Sequence, residues 1–365
     1  MKFLFVIGDL SSGGAQRQVL TLAMEIVKLG HEVEFAVYLE RDYYGEVLRQ
    51  NNIQITKLIA KNPAKRILTF RKYIRGNEFD IVVSFLGVPN FICELAALPL
   101  RRWKLIVNER SADPVILRSL NSRFRRLFHV FADTIVCNSY ANKLIVQKVN
   151  PLLRDDKIEV LYNMIDLDIW KPLKNFEYSK NDVLHLLIAA SHRKLKNMLG
   201  LLQGVTLLNE EERSKLKISW YGDNLTPPYY DDSIVKCKQF IEKYNLKRTI
   251  DLYPADHYIR DKMQRADVIG LFSFFEGLPN SICEGMALGK PILASAVSDI
   301  PLLIRDGVNG KLCDPRNIQT ISDALRYFIN ADKKELKKMG DLNRKKATML
   351  FDLNRNVKKY LEFII

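Results

Sequence analysis

Short apolar runs alternate with longer amphipathic stretches along almost the whole chain. Residues 2–8 read as a buried strand, a glycine-bearing turn follows at 11–14, and 16–29 carries helical periodicity that stops at Gly30, a residue suited to a helix C-cap. Strand-like runs recur at 31–38, 81–85, 104–108, 134–138 and 157–161. Around 166–172 the pattern breaks into Asp-Leu-Asp-Ile-Trp-Lys-Pro and then a polar stretch to Asp182, which is the composition of an interdomain connection. A second series starts at 184–190 and continues at 217–221, 249–252, 268–272 and 291–296. From Asp332 the tail is lysine-rich and helical in pattern, and its apolar end, Tyr360-Leu361-Glu362-Phe363-Ile364-Ile365, should pack back onto a domain. Alternating strands and helices predict an α/β chain with parallel sheets covered on both faces. Two such open domains, with the strand carboxyl ends of each bordering a cleft, are expected to bind ligand there.

Composition narrows this without changing it. The chain has 365 residues, 47% of them hydrophobic and 27% charged, which fits two globular domains and excludes disorder. No apolar run approaches the roughly 18 residues of a membrane-spanning helix. Lys2 and the apolar run after it resemble a signal peptide only until Gly8-Asp9, so the run is better read as a first strand. Cys93, Cys137, Cys237, Cys283 and Cys313 are odd in number and lack metal-type spacing, as expected of core thiols in a reduced, cytosolic protein. The net charge of +14 gathers partly in two groups. One is Lys61, Lys65, Arg66, Arg71, Lys72 and Arg75; the other comprises Arg101, Arg102, Lys104, Arg118, Arg123, Arg125 and Arg126. Either is a solvated helix face or a docking patch for an anionic partner. Phe70, Tyr73, Trp103, Phe124, Leu127 and Phe128 lie among these charges, and no nucleic-acid motif accompanies them, which favours an anionic membrane surface and no nucleic acid.

The densest chemistry lies between Phe275 and Asp299. Glu276 and Glu284 flank a glycine-bearing turn between a strand and a helix, the unit that holds an anion at backbone N–H groups. Ionised carboxylates only accept hydrogen bonds, and sugars supply donors, so a hydroxyl-rich, phosphate-bearing ligand suits the pair. Ser281-x-x-Glu284 also fits a capping box, in which Glu284 would serve only the helix start.

Ser12-Gly13-Gly14-Ala15-Gln16-Arg17, Gly30-His31-Glu32-Val33, Cys137-Asn138-Ser139, Tyr162-Asn163-Met164-Ile165-Asp166, Lys196-Asn197 and the Glu276…Glu284 block occur in the order seen in glycosyltransferase family 4, which the chain resembles over nearly its whole length. The resemblance implies a GT-B fold: two Rossmann-like domains facing each other across a cleft, at 1–169 for the acceptor and 170–349 for the nucleotide-sugar, with a helix at about 350–365 returning to the first. It implies that Glu284 holds ribose hydroxyls and Glu276 contacts the donor sugar. Leu278, Pro279, Asn280 and Ser281 would bind the diphosphate, and Gly13 and Gly14 would admit close approach of backbone to donor. Lys196 would stabilise the leaving diphosphate. The family's usual Arg before the Lys-Asn pair is Ser191 here; Arg193 is either its replacement or a surface charge. A narrower resemblance, through Ser84-Phe85-Leu86, Asn90 and Asn108-Glu109-Arg110-Ser111-x-Asp113-Pro114, is to bacterial members that extend lipid-linked oligosaccharides. There Arg110 would grip a phosphate or carboxylate and Glu109 would accept from an acceptor hydroxyl, unless the two form a loop-stabilising pair.

The implied reaction is retaining transfer of a hexose or N-acetylhexosamine from a UDP-sugar to a lipid-linked (polyprenyl diphosphate) glycan acceptor, in bacterial surface polysaccharide biosynthesis such as capsule or O-antigen. No cofactor is implied beyond the donor, and no metal: Asp166-Leu167-Asp168 falls in the connection, where the family carries a structural turn. The implied location is cytoplasmic, peripheral on the inner face of the plasma membrane. A UDP-sugar 2-epimerase or a non-catalytic glycan-binding protein on the same fold are the alternatives; the first needs acid–base residues in the cleft.

Overall fold

A computed structural model describes residues 1–178, 182–223 and 231–364. Residues 179–181, in the expected connection, and Ile365 of the apolar tail therefore lie outside the described residues. The chain divides into two compact units, Met1–Met164 with Leu353–Ile365, and Ile165–Asp352.

The first unit holds seven strands: β1 (Lys2–Val6), β2 (Glu32–Val37), β3 (Gln54–Lys57), β4 (Ile81–Phe85), β5 (Lys104–Glu109), β6 (Thr134–Cys137) and β7 (Ile158–Val160). They are parallel, in the order β3-β2-β1-β4-β5-β6-β7. Central β1 alternates by face. Phe3 and Phe5 enter one core layer and Leu4 and Val6 the other, all 0% exposed, as a strand covered on both sides requires. The helix Gly14–Lys28 ends as expected. Gly30 (φ 82) donates to the Val27 carbonyl and His31 to that of Ile26, closing a Schellman motif. The Phe3/Phe5 face is closed partly by the helix Leu353–Glu362, which contributes Leu353, Val357 and Tyr360, with Ile364 just beyond it. Tyr360 receives a hydrogen bond on its hydroxyl from Asn108 Nδ2 at 2.9 Å, and Lys104 Nζ donates to the Ile364 carbonyl at 2.6 Å.

The second unit holds β8 (Leu184–Ala189), β9 (Leu216–Tyr221), β10 (Ile250–Tyr253), β11 (Val268–Leu271), β12 (Ile292–Ser295) and β13 (Gly310–Cys313), again parallel, in the order β10-β9-β8-β11-β12-β13. Edge strands β3 and β13 are the two that the hydrophobic pattern does not predict. All five cysteines are buried and unpaired. No described helix is long and apolar enough to cross a membrane.

The unit boundary falls at Met164/Ile165, earlier than 169/170, because the expected connection is strapped to the second unit. Ile165 bridges Asp352, Arg344 donates to the Leu167, Trp170 and Ala287 carbonyls, and the Tyr178 hydroxyl donates to the Gly289 carbonyl. Asp166 is a turn residue: its Oδ1 accepts from the backbone N–H of Asp168 at 2.9 Å and of Ile169 at 3.0 Å.

Candidate active site

In the second unit, two loops at strand carboxyl ends are tied together: the Phe274 N–H donates to the Leu195 carbonyl at 3.0 Å. After β8 a short turn, Lys194–Lys196, leads to Asn197 in the left-handed region (φ 57). Asn197 caps the helix Met198–Thr206 by accepting from Gly200 N–H, and its amide donates to the Pro315 carbonyl. This fixes Lys196 so that Nζ lies 2.5 Å from Glu276 Oε1, with the side chains 19% and 11% exposed. The Glu276 backbone is clasped by Ser298, whose hydroxyl accepts from the Glu276 N–H at 3.3 Å and donates to its carbonyl. Ser298, itself at φ 50, has no counterpart among the sequence-based site residues.

The helix Asn280–Ala287 begins at Pro279, a residue whose side chain makes no capping hydrogen bond. Ser281 is therefore inside the helix, and the capping box with Glu284 does not form there. Glu284 is 6% and Ser281 8% exposed, on a helix buried from Ser281 to Ala287. Gly285 lets it sit close on β11, since a Cβ there would lie 3.0 Å from Ile269. A helix start with proline at its N-cap, and a lysine and a carboxylate held beside its loop, has the chemistry to receive an anion next to a hydroxyl-bearing ligand. Arg193 is half-buried and adds its charge around Asp231. Burial there opposes ionisation, but bonds from Ser233 and the Lys194 N–H, with Arg193, hold that carboxyl below its usual range.

In the first unit, Gly13 is the N-cap of the helix Gly14–Lys28 with an ordinary extended backbone (φ −85). An added Cβ there would meet only the end of the Gln16 side chain. Glu109 and Arg110 diverge. Arg110 Nη2 donates to Asn163 Oδ1 at 3.1 Å, and its guanidinium lies 5.6 Å from the Phe85 ring centroid. Burial brings its pKa down to about 10, against the smaller opposing influence of Tyr360 and Cys137. It lines, with Gln18, Asn108, Tyr162 and Tyr360, a cavity with room for about one water.

Glu109 turns inward and is 1% exposed, so the expected bond to an acceptor hydroxyl is corrected. Its partners are Arg126 Nη2 at 2.7 Å and His129 Nε2 at 3.2 Å. His129 Nδ1 meets Glu94 Oε1 at 2.5 Å, and Asn90 Nδ2 donates to Glu109 Oε1 at 3.4 Å. Burial alone would depress the imidazole, but Glu94 and Glu109 outweigh it and raise it to about 9. Burial likewise opposes ionisation of Glu109, and Arg126 with His129 brings its pKa down to about 2. Sequence reasoning missed Glu94, Arg126 and His129 as a unit. Its one signal was a histidine inside the apolar run Leu127–Phe131, and nothing local pointed to its partners.

Much of the expected basic patch is structural. Arg66 donates to the Ala60 carbonyl, Arg71 to that of Leu95, Arg75 to those of Ala96, Leu98 and Leu100, and Arg101 pairs with Asp133. Phe70 and Trp103 are core.

Two Rossmann-like units built on parallel sheets define the GT-B fold. The Glycosyltransferase Family 4 model matches residues 12–169 and the model for Glycosyl transferases group 1 matches 173–346, and the chain belongs to glycosyltransferase family 4. It is 25% identical, over 97% of its length and 98% of the relative's, to the Campylobacter jejuni N-acetylgalactosamine-N,N'-diacetylbacillosaminyl-diphospho-undecaprenol 4-alpha-N-acetylgalactosaminyltransferase. A second C. jejuni protein, the GalNAc-alpha-(1->4)-GalNAc-alpha-(1->3)-diNAcBac-PP-undecaprenol alpha-1,4-N-acetyl-D-galactosaminyltransferase, is 22% identical over 100% of this chain and 98% of its own. Among solved structures, an Anabaena protein in complex with UDP superposes with a TM-score of 0.85, 16% identity and 99% coverage of both chains.

Proposed function

We propose that this protein transfers a hexose or N-acetylhexosamine from a UDP-sugar to a polyprenyl-diphosphate-linked glycan, retaining anomeric configuration and using no metal ion, in the building of a bacterial surface glycan at the inner face of the plasma membrane. The observation that carries the reading is the Lys196–Glu276 pair at 2.5 Å on the loop that leads into the helix Asn280–Ala287. Donor binding exchanges partners: Lys196 turns to the diphosphate, Glu276 takes a sugar hydroxyl, the backbone of Leu278 to Ser281 receives phosphate oxygens and Glu284 the ribose. The bond from the anomeric carbon to the diphosphate oxygen breaks while one to the acceptor oxygen forms on the same face. The acceptor's proton passes to the departing phosphate, so no protein base is needed. Lys196, aided by Arg193, stabilises the charge that develops on the leaving group. Gly13 and Gly14 admit the donor, and Arg110 takes a phosphate of the acceptor. The activities for which both C. jejuni relatives are named support a lipid-linked acceptor and an N-acetylhexosamine donor. The epimerase alternative gains nothing from His129, which is 1% exposed and sealed among its partners.

A panel of UDP-sugars tested by thermal shift is the direct test. The cognate donor at about 100 times its Kd should stabilise the protein by roughly 2.7 kcal/mol. No shift with any nucleoside diphosphate, together with no transfer to a lipid-linked acceptor, refutes the reading.

A further inference from the structure

The helix Leu120–Leu127 and the turn Phe128–Phe131 after it are inside out. Leu120, Phe124, Leu127 and Phe131 stand at i, i+4, i+7 and i+11, one face of a helix, and are 79%, 51%, 43% and 37% exposed. The opposite face carries the polar residues Arg126 and His129, which are 6% and 1% exposed. Those two are clamped to Glu109 at the end of β5 and to Glu94 on the helix Gly87–Ala96. Rolling the apolar stripe inward would strip a buried carboxylate of its partners, so the clamp holds the stripe outward. Phe124 and Phe131 of the stripe join Phe91 and Phe128 in a continuous aromatic chain with ring centroids 5.0 to 6.0 Å apart. From Pro114 to Phe131 there is no acidic residue, and among the described residues Arg118, Arg123 and Arg125 carry no ion pair. An exposed Leu/Phe stripe rimmed by unpaired arginines matches a surface that is apolar beneath and anionic on top.

We propose that this face docks the first unit on an anionic lipid bilayer, with Leu120, Phe124, Leu127 and Phe131 entering the acyl boundary and Arg118 and Arg123 meeting lipid phosphates. Docking and acceptor handling then lie on two sides of one short element, because its inner face grips Glu109, the neighbour of Arg110. This rests on the reading that the acceptor is lipid-linked. It assigns the docking to one helix face and leaves the lysines and arginines of 61–75 out of it.

The test is co-sedimentation of the full chain with vesicles of phosphatidylglycerol and phosphatidylcholine, or of phosphatidylcholine alone. Wild type should bind the anionic vesicles, less so in high salt. The double variant Leu120→Ser/Phe124→Ser should lose at least tenfold in binding, and Arg118→Gln and Arg123→Gln about fivefold each. Leu302→Ser, at a leucine of the second unit that is 56% exposed, should lose nothing. All variants should keep the wild-type melting temperature and the wild-type thermal shift with donor, since none touches the donor site. Unchanged vesicle binding in the double variant overturns the proposal. So does a wild-type dimer, seen by light scattering, that the same substitutions dissociate, since a second copy would then cover the face. Failure of donor binding in every protein, wild type included, would instead refute the glycosyltransfer reading and leave the docking result standing by itself.

Discussion

Lys196 is a single cation held at a defined point, and its removal has a defined cost. Lys196→Ala should lower kcat by about 10²- to 10³-fold with the fold intact, as loss of one placed electrostatic group does elsewhere, checked by steady-state transfer assays and a melting curve. Chelation should leave the rate unchanged, and product NMR should show the donor's anomeric configuration. The buried cluster in the first unit makes a different claim, about stability. Glu109→Ala leaves the buried Arg126 without its carboxylate and His129 with Glu94 alone, a loss of about 3–5 kcal/mol in denaturant titrations. His129, raised from 6.5 to about 9, contributes stability that is whole below 6.5 and is lost as pH rises through about 9. Glu109, lowered from 4.5 to about 2, contributes stability that is whole above 4.5 and is lost as pH falls through about 2. The stability gap between wild type and His129→Gln should therefore narrow from pH 6.5 to pH 9. Glu276 and Glu284 were legible because their setting is local: one strand, one turn, one helix. The Glu94–His129–Glu109–Arg126 cluster was not, because it is assembled from two helices, a turn and a strand end whose proximity only the sheet order creates.

Two apolar stripes in this molecule share one spacing and have opposite fates. Leu353, Val357, Tyr360 and Ile364 repeat at i, i+4, i+7 and i+11 and are buried, whereas Leu120, Phe124, Leu127 and Phe131 have the same repeat and are exposed. Periodicity shows that a face exists; what the other face offers decides which way it turns. Arg126 and His129 have buried carboxylates to meet, whereas the stripe of Leu353–Glu362 meets the Phe3/Phe5 face of the sheet and is fastened there by the bonds from Asn108 and Lys104. Strands β3 and β13 escaped sequence reading for a related reason. Each is a four-residue edge strand, and Gln54-Ile55-Thr56-Lys57 and Gly310-Lys311-Leu312-Cys313 lack the apolar density of a strand covered on both sides. Element contact also yields a prediction. The helix Lys333–Phe351 packs on Asn280–Ala287, and a Cβ at Gly340 would lie 2.1 Å from the Gly289 carbonyl oxygen. Gly340→Ala should cost about 1–3 kcal/mol and weaken donor binding, both measurable by thermal shift with and without UDP-sugar.

At the scale of the molecule, the first unit is discontinuous in sequence: its sheet is made early in the chain, and the helix that helps to close it comes after the whole of the second unit. Burial of its four apolar side chains is worth roughly 6–12 kcal/mol at about 1.5–3 kcal/mol each, comparable to the entire stability of a domain. Deleting 353–365 should abolish the first unit's cooperative transition while the second unit's remains, two events that calorimetry separates. The same arrangement constrains how the protein is made. At elongation rates of about 5–20 residues per second, the ribosome needs roughly 10–40 s to synthesise the second unit after the first. Throughout that interval the Phe3/Phe5 face of a finished sheet lacks part of its cover. Closure of the first unit is therefore a late event timed by translation, and the waiting sheet is the apolar surface that the nascent chain leaves exposed longest.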